Sequence, residues 1–472
     1  MKFRFTGKNF GQTVKWCHCI SIVLSIAAVS ARADGDISTV SARPSPDWLR
    51  AGTIYEIFPR DFSAAGNLNG ITARLDDLHS LGVNILWTMP IHPIGEKFRK
   101  GGFGSPYSIK DYYAVDPNYG TLDDFKKLVA GAHQRGMKVI MDLVANHTAW
   151  DSVIMTNKDF YKQNAQGHVI PPVPEWTDVA GLSYKSYALR EYIIAMLKYW
   201  IKEADVDGFR CDVAYMVPTD FWEQVRDELT KVKPDIMMLA EASKPELLTK
   251  AFDIDYSWPL LATLNKVLIH DAPASDIRKC WEENLKQFPK GSLHLRISDD
   301  HDEARAVARY GLNGALAASA LMFTLDGVPL LYNGMEVGDA TESGDPALFD
   351  KLTIFWNPKE RPQLRGIYHD FIQLRKQHAA LRSSNVEWLA NSDETKLVTF
   401  LRADDKDEFL VLINFSNRPL TGKVDLKISA GFSAVKISGV NDSAGGPLPA
   451  FHLNGFEWRI YHRAVTTMAA KN

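Results

Sequence analysis

The run VDGFRCDVAYMVP (206–218) places a cation and an anion, Arg210 and Asp212, two positions apart in an otherwise apolar stretch. Alternate residues of a strand share a face, so Arg210 and Asp212 point one way while Phe209, Cys211 and Val213 point the other. Such charges are rarely buried unless paired, so the face they line is a structural ion pair or a reaction site. Other apolar runs also end in acids and histidines: DLVANH (142–147), LAEA (239–242) and DDHDE (299–303). Each is weak alone, since a lone Arg–Asp pair reads as structural and a lone Asp–His–Asp as a solvated turn. If the runs are strands ending at one mouth, Asp212, Glu241 and Asp302 share a small volume with His147, His301 and Arg210.

Glycoside hydrolysis needs such a cluster: one ionised carboxylate and one protonated carboxylic acid flanking the scissile bond. Neighbouring like charges push one pKa up, which keeps the acid protonated near neutral pH. Arg210, on the same face as Asp212, is expected to hold that group ionised. A metal centre is the competing use of His147 and His301, but no HExxH or paired-histidine spacing is present, so no metal is expected. Tyr107 and Trp150 lie near strand ends and suit stacking on a sugar face.

The elements that must position these residues read as alternating strands and helices. Strands are expected at 53–59, 84–90, 138–144, 208–213, 237–242, 252–258, 293–299 and 328–334. Amphipathic helices lie between most of them, such as 121–136 (Thr121 as N-cap, Gly136 as stop) and 188–204. The alternation argues for an α/β fold, a (β/α)8 TIM barrel, with a small insertion at 147–187 after the third strand. An open doubly wound sheet would show a Gly-rich phosphate loop after its first strand, and 59–70 supplies none. From about 383 the period changes to two, and 395–403, 408–416 and 456–463 alternate as half-buried strands of a C-terminal antiparallel β-sandwich do. The expected organisation is a barrel over 50–382, a sandwich over 383–464 and a tail over 465–472.

With 472 residues, 46% hydrophobic and 24% charged, the chain has the composition of a globular protein. A net charge of −3 offers no field for a nucleic-acid partner. Lys2, Arg4, Lys8 and Lys15 precede the apolar run CISIVLSIAAVSA and then ARA at 31–33, the pattern of a secretory signal peptide over 1–33. The apolar run is too short to span a bilayer. Cleavage after Ala33 would remove five basic residues and no acid, taking the charge from −3 to −8. It would leave Cys211 and Cys280, too few for a disulfide framework, and a linker over 34–49. The expectation is an exported protein, periplasmic or extracellular, with no membrane attachment after cleavage.

Taken together, GVNILWTMP (82–90), DLVANH (142–147), GFRCD (208–212), LAEA (239–242), DDHD (299–302) and GVPLLYNGMEVG (327–338) resemble, in order, the short sequence regions of the α-amylase family of retaining glycoside hydrolases. The resemblance covers roughly residues 50–464 and implies a (β/α)8 barrel and a C-terminal sandwich. It implies Asp212 as nucleophile, Glu241 as general acid/base and Asp302 as the third carboxylate, with Arg210 orienting Asp212. His147 and His301 would hydrogen-bond the sugar, Tyr107 would stack beneath it and Asp111 would support that shell, with Asp142 and Asn146 as scaffold. The implied substrate is an α-glucan oligosaccharide or polysaccharide, and the two reacting groups should lie about 5–5.5 Å apart. No cofactor is implied here. Where many members carry Lys–His after the nucleophile, this chain has Tyr215 and Met216, which disfavours a structural calcium tied through Asn146. The segment around Asp212–Ala214 and Val217–Pro218 is closer to the cyclomaltodextrinase and neopullulanase branch, and Asp300 adds an acid beside the site. Transglycosylation through the same covalent intermediate, and a non-catalytic carbohydrate-binding barrel, are the competing functions.

Overall fold

The computed structural model describes residues 36–341, 345–357, 359–439 and 447–465. The expected signal peptide and residues 466–472 of the tail lie outside the described residues. Eight parallel strands pair in chain order and close on themselves: β1 (Ile54–Ile57), β2 (Ile85–Thr88), β3 (Lys138–Leu143), β4 (Gly208–Cys211), β5 (Met237–Ala240), β6 (Ile254–Tyr256), β7 (His294–Arg296) and β8 (Val328–Tyr332). Every run expected to be a barrel strand is one, trimmed at its ends.

The two helices that flank the third strand and the insertion start where side chains cap them. Thr121 accepts from Asp124 N while Asp124 answers to the Thr121 backbone, a reciprocal cap that opens α1 (Leu122–Gln134). Ser186 caps α2 (Tyr187–Ala204) through Leu189 N. Between β3 and α2 the insertion forms a short antiparallel pair, His147–Ala149 against Val179–Gly181. No helix among the described residues is long and apolar enough to cross a membrane.

Two-residue periodicity divides the barrel wall. Ile54, Ile85, Ile140, Met237, Leu239, Ile254, Leu295, Val328 and Leu330 fill its interior. Gly208 faces the same space: a Cβ there would lie 2.4 Å from Met237 O, so β4 can approach β5 only with glycine. Phe209 and Cys211 face the helix layer, as the alternation predicted. Above the apolar layers the inward positions become polar: Glu56, Asp142 and Glu241 come two residues after Ile54, Ile140 and Leu239, and Arg210 two after Gly208.

Two expectations are corrected. The 34–49 segment is not a free linker along its described part: Arg43 pairs with Asp253 at 2.5 Å, Ala42 N donates to Lys290 O, and Leu49 is buried against the barrel interior. Burying one such leucine contributes about 2 kcal/mol toward holding the segment down, beside the Arg43–Asp253 pair and the backbone bond to Lys290. The C-terminal sheet is also more deeply buried than half-buried strands would be. It comprises β9 (Glu387–Trp388), β10 (Leu397–Ala403), β11 (Asp407–Asn414), β13 (Ser433–Ala434) and β15 (Trp458–Ala464), with β12 (Leu420–Lys423) and β14 (Ala450–Leu453) as a second sheet. Leu397, Leu401, Leu410, Leu412 and Tyr461 pack with Phe451 and Leu453 of the second sheet. On the other face Phe400, Phe409, Val411, Trp458 and Ile460 join the barrel's helix-layer core, with Trp458 against Phe371 at 5.0 Å.

Candidate active site

Arg210 is wholly buried, and register explains its first partner. Asp142 lies directly across from it between β3 and β4, and Arg210 Nη1 reaches Asp142 Oδ1 at 3.0 Å. The same Nη1 lies 3.2 Å from Asp212 Oδ1, and Nη2 lies 2.8 Å from Glu241 Oε2, a charge contact without hydrogen-bond alignment. Arg210 Nε donates to Tyr256 OH at 3.1 Å, and the guanidinium sits 5.2 Å from the Trp87 ring centre. One cation thus serves three carboxylates. The sequence reading gave Arg210 to Asp212 alone; in the structure its tightest contacts are to Glu241 and Asp142.

Asp212 and Glu241 follow the last residues of the adjacent strands β4 and β5, so the barrel twist brings both to its C-terminal mouth. After Asp212 the strand alternation stops. Val213 adopts φ 36°, a left-handed conformation that strains a β-branched residue, and its N–H donates to Glu241 Oε2 at 2.7 Å. Asp212 Oδ2 is buried with no hydrogen-bond partner and lies 4.0 Å from His147 Nε2. Burial and the neighbouring Glu241 push the Asp212 carboxyl well above the carboxylate range, and Arg210 offsets this only in part. Burial also raises Glu241, with Arg210 opposing and Asp302 adding to the rise. Arg210 therefore favours the ionised form of both Asp212 and Glu241 but does not cancel the burial of either, and two such neighbouring carboxyls titrate as a pair.

His301 and Tyr107 continue the network. His301 Nδ1 hydrogen-bonds Glu56 Oε1, its Nε2 meets Tyr107 OH at 2.7 Å, and Tyr107 OH donates to Asp142 Oδ2 at 3.1 Å. The Tyr107 and His301 rings stack, 22° apart in plane. Burial would lower the His301 pKa, but Asp302, 3.3 Å from Nε2, and Glu56 outweigh it and raise it to about 10. His301 is an imidazolium at neutral pH. His147 is the opposite case: burial lowers it to about 3, so it is neutral, held by Asn146 Nδ2 at 3.2 Å from its Nδ1.

Exposure grades across the three carboxylates. Asp212 is 7% exposed and the Glu241 side chain 12%, whereas the Asp302 side chain is 36% exposed. The pair therefore lies at the floor and Asp302 at the rim. Asp300 is buried, and its Oδ1 accepts from Asp302 N and Glu303 N at 3.1 Å each, so it holds the loop that carries Asp302. Asp111 is not brought into the cluster: it is half-buried and accepts from Tyr113 N at 2.9 Å, capping its own turn. Trp150 packs edge-on with the exposed Phe98 at 5.8 Å and donates to Thr177 O.

Glu56 is the functional residue that sequence reasoning missed. The clue was present in TIYEIFP, an isolated acid in an apolar strand, the same signature that singled out Arg210.

Residues 33–178 and 174–408 match the α-amylase catalytic domain. The chain belongs to the α-amylase family. It is a glycoside hydrolase of that family, and its relatives carry such names. It is 28% identical over 423 residues to an α-amylase of Haloarcula japonica, covering 85% of this chain but only 60% of that enzyme. It is 27% identical over 427 residues to a Bacillus cyclomaltodextrinase, covering 80% of this chain and 75% of the relative. Among solved structures it resembles an α-amylase from Lactobacillus plantarum (TM-score 0.77, 29% identity, 88% of this chain and 99% of that one). It likewise resembles a maltogenic α-amylase from Thermotoga neapolitana (TM-score 0.78, 27% identity, 89% and 100%).

Proposed function

We propose that this α-amylase-family enzyme hydrolyses α-1,4-glucosidic bonds of starch and maltodextrins by double displacement, with retention at the anomeric carbon. The observation that carries the reading is the buried Asp212–Glu241 pair bridged by Arg210. In this reading Glu241 carries a proton and Asp212 is ionised when substrate binds. Glu241 donates that proton to the glycosidic oxygen as Asp212 Oδ2, which has no other partner, bonds to the anomeric carbon and the C–O bond breaks. The leaving sugar departs with the proton. Glu241, now ionised, takes a proton from water, the hydroxide oxygen replaces Asp212 on the anomeric carbon, and the pair returns to its starting state.

Asp302 at the rim can accept from ring hydroxyls, and His301, its Nδ1 on Glu56 and its Nε2 on Tyr107 OH, lies 3.3 Å from Asp302 and steadies that carboxylate. Neutral His147, its Nδ1 facing the Asn146 amide N–H, carries its proton on Nε2 and can donate next to the attacking oxygen. The maltodextrin-directed names of the relatives support the substrate class.

The test is purified protein on soluble starch and maltoheptaose, with Asp212→Asn as control. Shorter maltodextrins released by wild type and not by the variant are expected. Early products longer than maltoheptaose would replace hydrolysis by transglycosylation, and a variant as active as wild type would remove Asp212 from the mechanism. We also propose export through the N-terminal 1–33 segment. Edman sequencing of the secreted chain should then begin at Asp34, and an uncleaved chain would contradict it.

A further inference from the structure

Away from the catalytic mouth, His378, Asp407 and His462 converge where the last barrel helix meets the C-terminal sheet. His378 follows helix Arg365–Gln377, Asp407 opens β11, and His462 lies on β15. Their meeting is dictated by register. Phe409 of β11 pairs with His462, so Asp407, two residues earlier on the same strand, shares their face, the one turned to the helix layer. Both imidazoles pack on the Phe409 ring, His378 at 4.9 Å and His462 at 4.7 Å, which fixes their planes.

His378 Nδ1 lies 2.8 Å from Asp407 Oδ2, and His462 Nε2 lies 2.7 Å from Asp407 Oδ1. One ligand atom from each residue falls within 4.8 Å of the other two. Without a metal this is a hydrogen-bonded triad with each imidazole donating to the carboxylate. Two nitrogens and one oxygen on three separate elements are also a ligand set for a borderline divalent ion.

We propose that His378, Asp407 and His462 form a binding site for a divalent transition metal of the zinc class, pinning the barrel's last helix to the C-terminal sheet. Each imidazole would present the lone pair of the nitrogen now facing Asp407. Its proton shifts to the other ring nitrogen, or leaves to solvent from a charged ring. Metal–ligand bonds of about 2.0–2.2 Å set neighbouring ligand atoms roughly 3.3 Å apart, so each nitrogen–oxygen contact opens by about half an ångström, while the widest ligand separation, within 4.8 Å here, closes by at most about 1.5 Å. The side chains are 22%, 17% and 29% exposed, so an ion can enter and water can complete its coordination.

The experiment uses the tag-free full-length protein, stripped with EDTA and titrated with zinc chloride by calorimetry and thermal unfolding. One equivalent of zinc should bind. At a hundredfold excess over Kd, the unfolding midpoint should rise by about 2 °C or more. Cobalt(II) in its place should give visible d–d bands of low-symmetry coordination. His462→Gln should weaken binding at least tenfold and abolish the cobalt bands. Failure of wild type to bind one equivalent, or binding of equal strength in His462→Gln, overturns the site. Should the variant not fold, X-ray absorption of zinc-loaded wild type decides: a shell containing two imidazoles supports the site, and one without imidazole overturns it.

Discussion

Glu56→Gln removes the buried anion facing His301 Nδ1 while leaving an acceptor of the same shape. The rise of His301 from about 6.5 in an unfolded chain to about 10 is worth at most about 5 kcal/mol below about pH 6 and about 4 kcal/mol at pH 7. Two deductions follow. Asp302 carries part of that rise, and burial raises the Glu56 carboxyl itself, a cost that cancels some of the gain. We therefore expect Glu56→Gln to destabilise the fold by about 2 kcal/mol near neutral pH, in the range for losing a charge-assisted hydrogen bond. The sign with pH is definite. A histidine raised on folding contributes its stability fully below about pH 6.5 and loses it as pH climbs through about 10. Urea unfolding of wild type and variant across that window should show a gap that is widest near pH 6 to 7 and closes toward pH 10. A gap constant with pH would mean that His301 is not held charged by Glu56, and no gap at all would remove the network from the stability account.

Glu241→Gln should lower kcat on maltodextrins by about 10²–10⁴ while sparing a glucosyl fluoride, whose leaving group needs no proton; equal losses on both would contradict the acid role. The rate should be bell-shaped in pH, falling at low pH as the pair takes up a second proton and at high pH as it loses its only one. Because burial raises both carboxyls, the acid limb should lie above the usual carboxylate value of about 4, and His147, lowered to about 3, should add no limb between about pH 5 and 8. Phe400→Ala, on the sheet face turned to the barrel helices, should cost about 3–5 kcal/mol in chemical denaturation, and a cost under about 1 kcal/mol would show that face to be loosely packed.

The barrel was legible because short apolar runs, buried on both faces, alternate with amphipathic helices and are interrupted only by the insertion after the third strand. Thr121 with Asp124 is a cap readable from four letters, and Gly136 takes the positive φ of a helix stop. Strand ends carried the site for the same reason: in a closed parallel barrel they share one rim, so Asp212, Glu241, His147 and His301 could be grouped before any coordinates. What was not legible is what depends on cross-strand distance. Pairing Asp142 with Arg210 needs the register of β3 against β4, and the reach of Arg210 to Glu241 needs the barrel twist. Glu56 was hidden because its partner His301 is 245 residues away. Asp111 was misplaced because a motif neighbour of Tyr107 in sequence turns away to cap its own turn. The packing of both faces of the C-terminal sheet was invisible because period two reports alternation, not what covers each face.

The central claim is that Asp212 forms the covalent bond to sugar. A 5-fluoro-α-glucosyl fluoride, which slows release of the intermediate, should leave one fluoroglucosyl group on the chain. Peptic digestion and mass spectrometry should place it on the peptide containing Asp212, and the adduct should decay with a return of activity. Label on Glu241 or Asp302 instead, or turnover of the reagent by Asp212→Asn at the wild-type rate, would contradict the account.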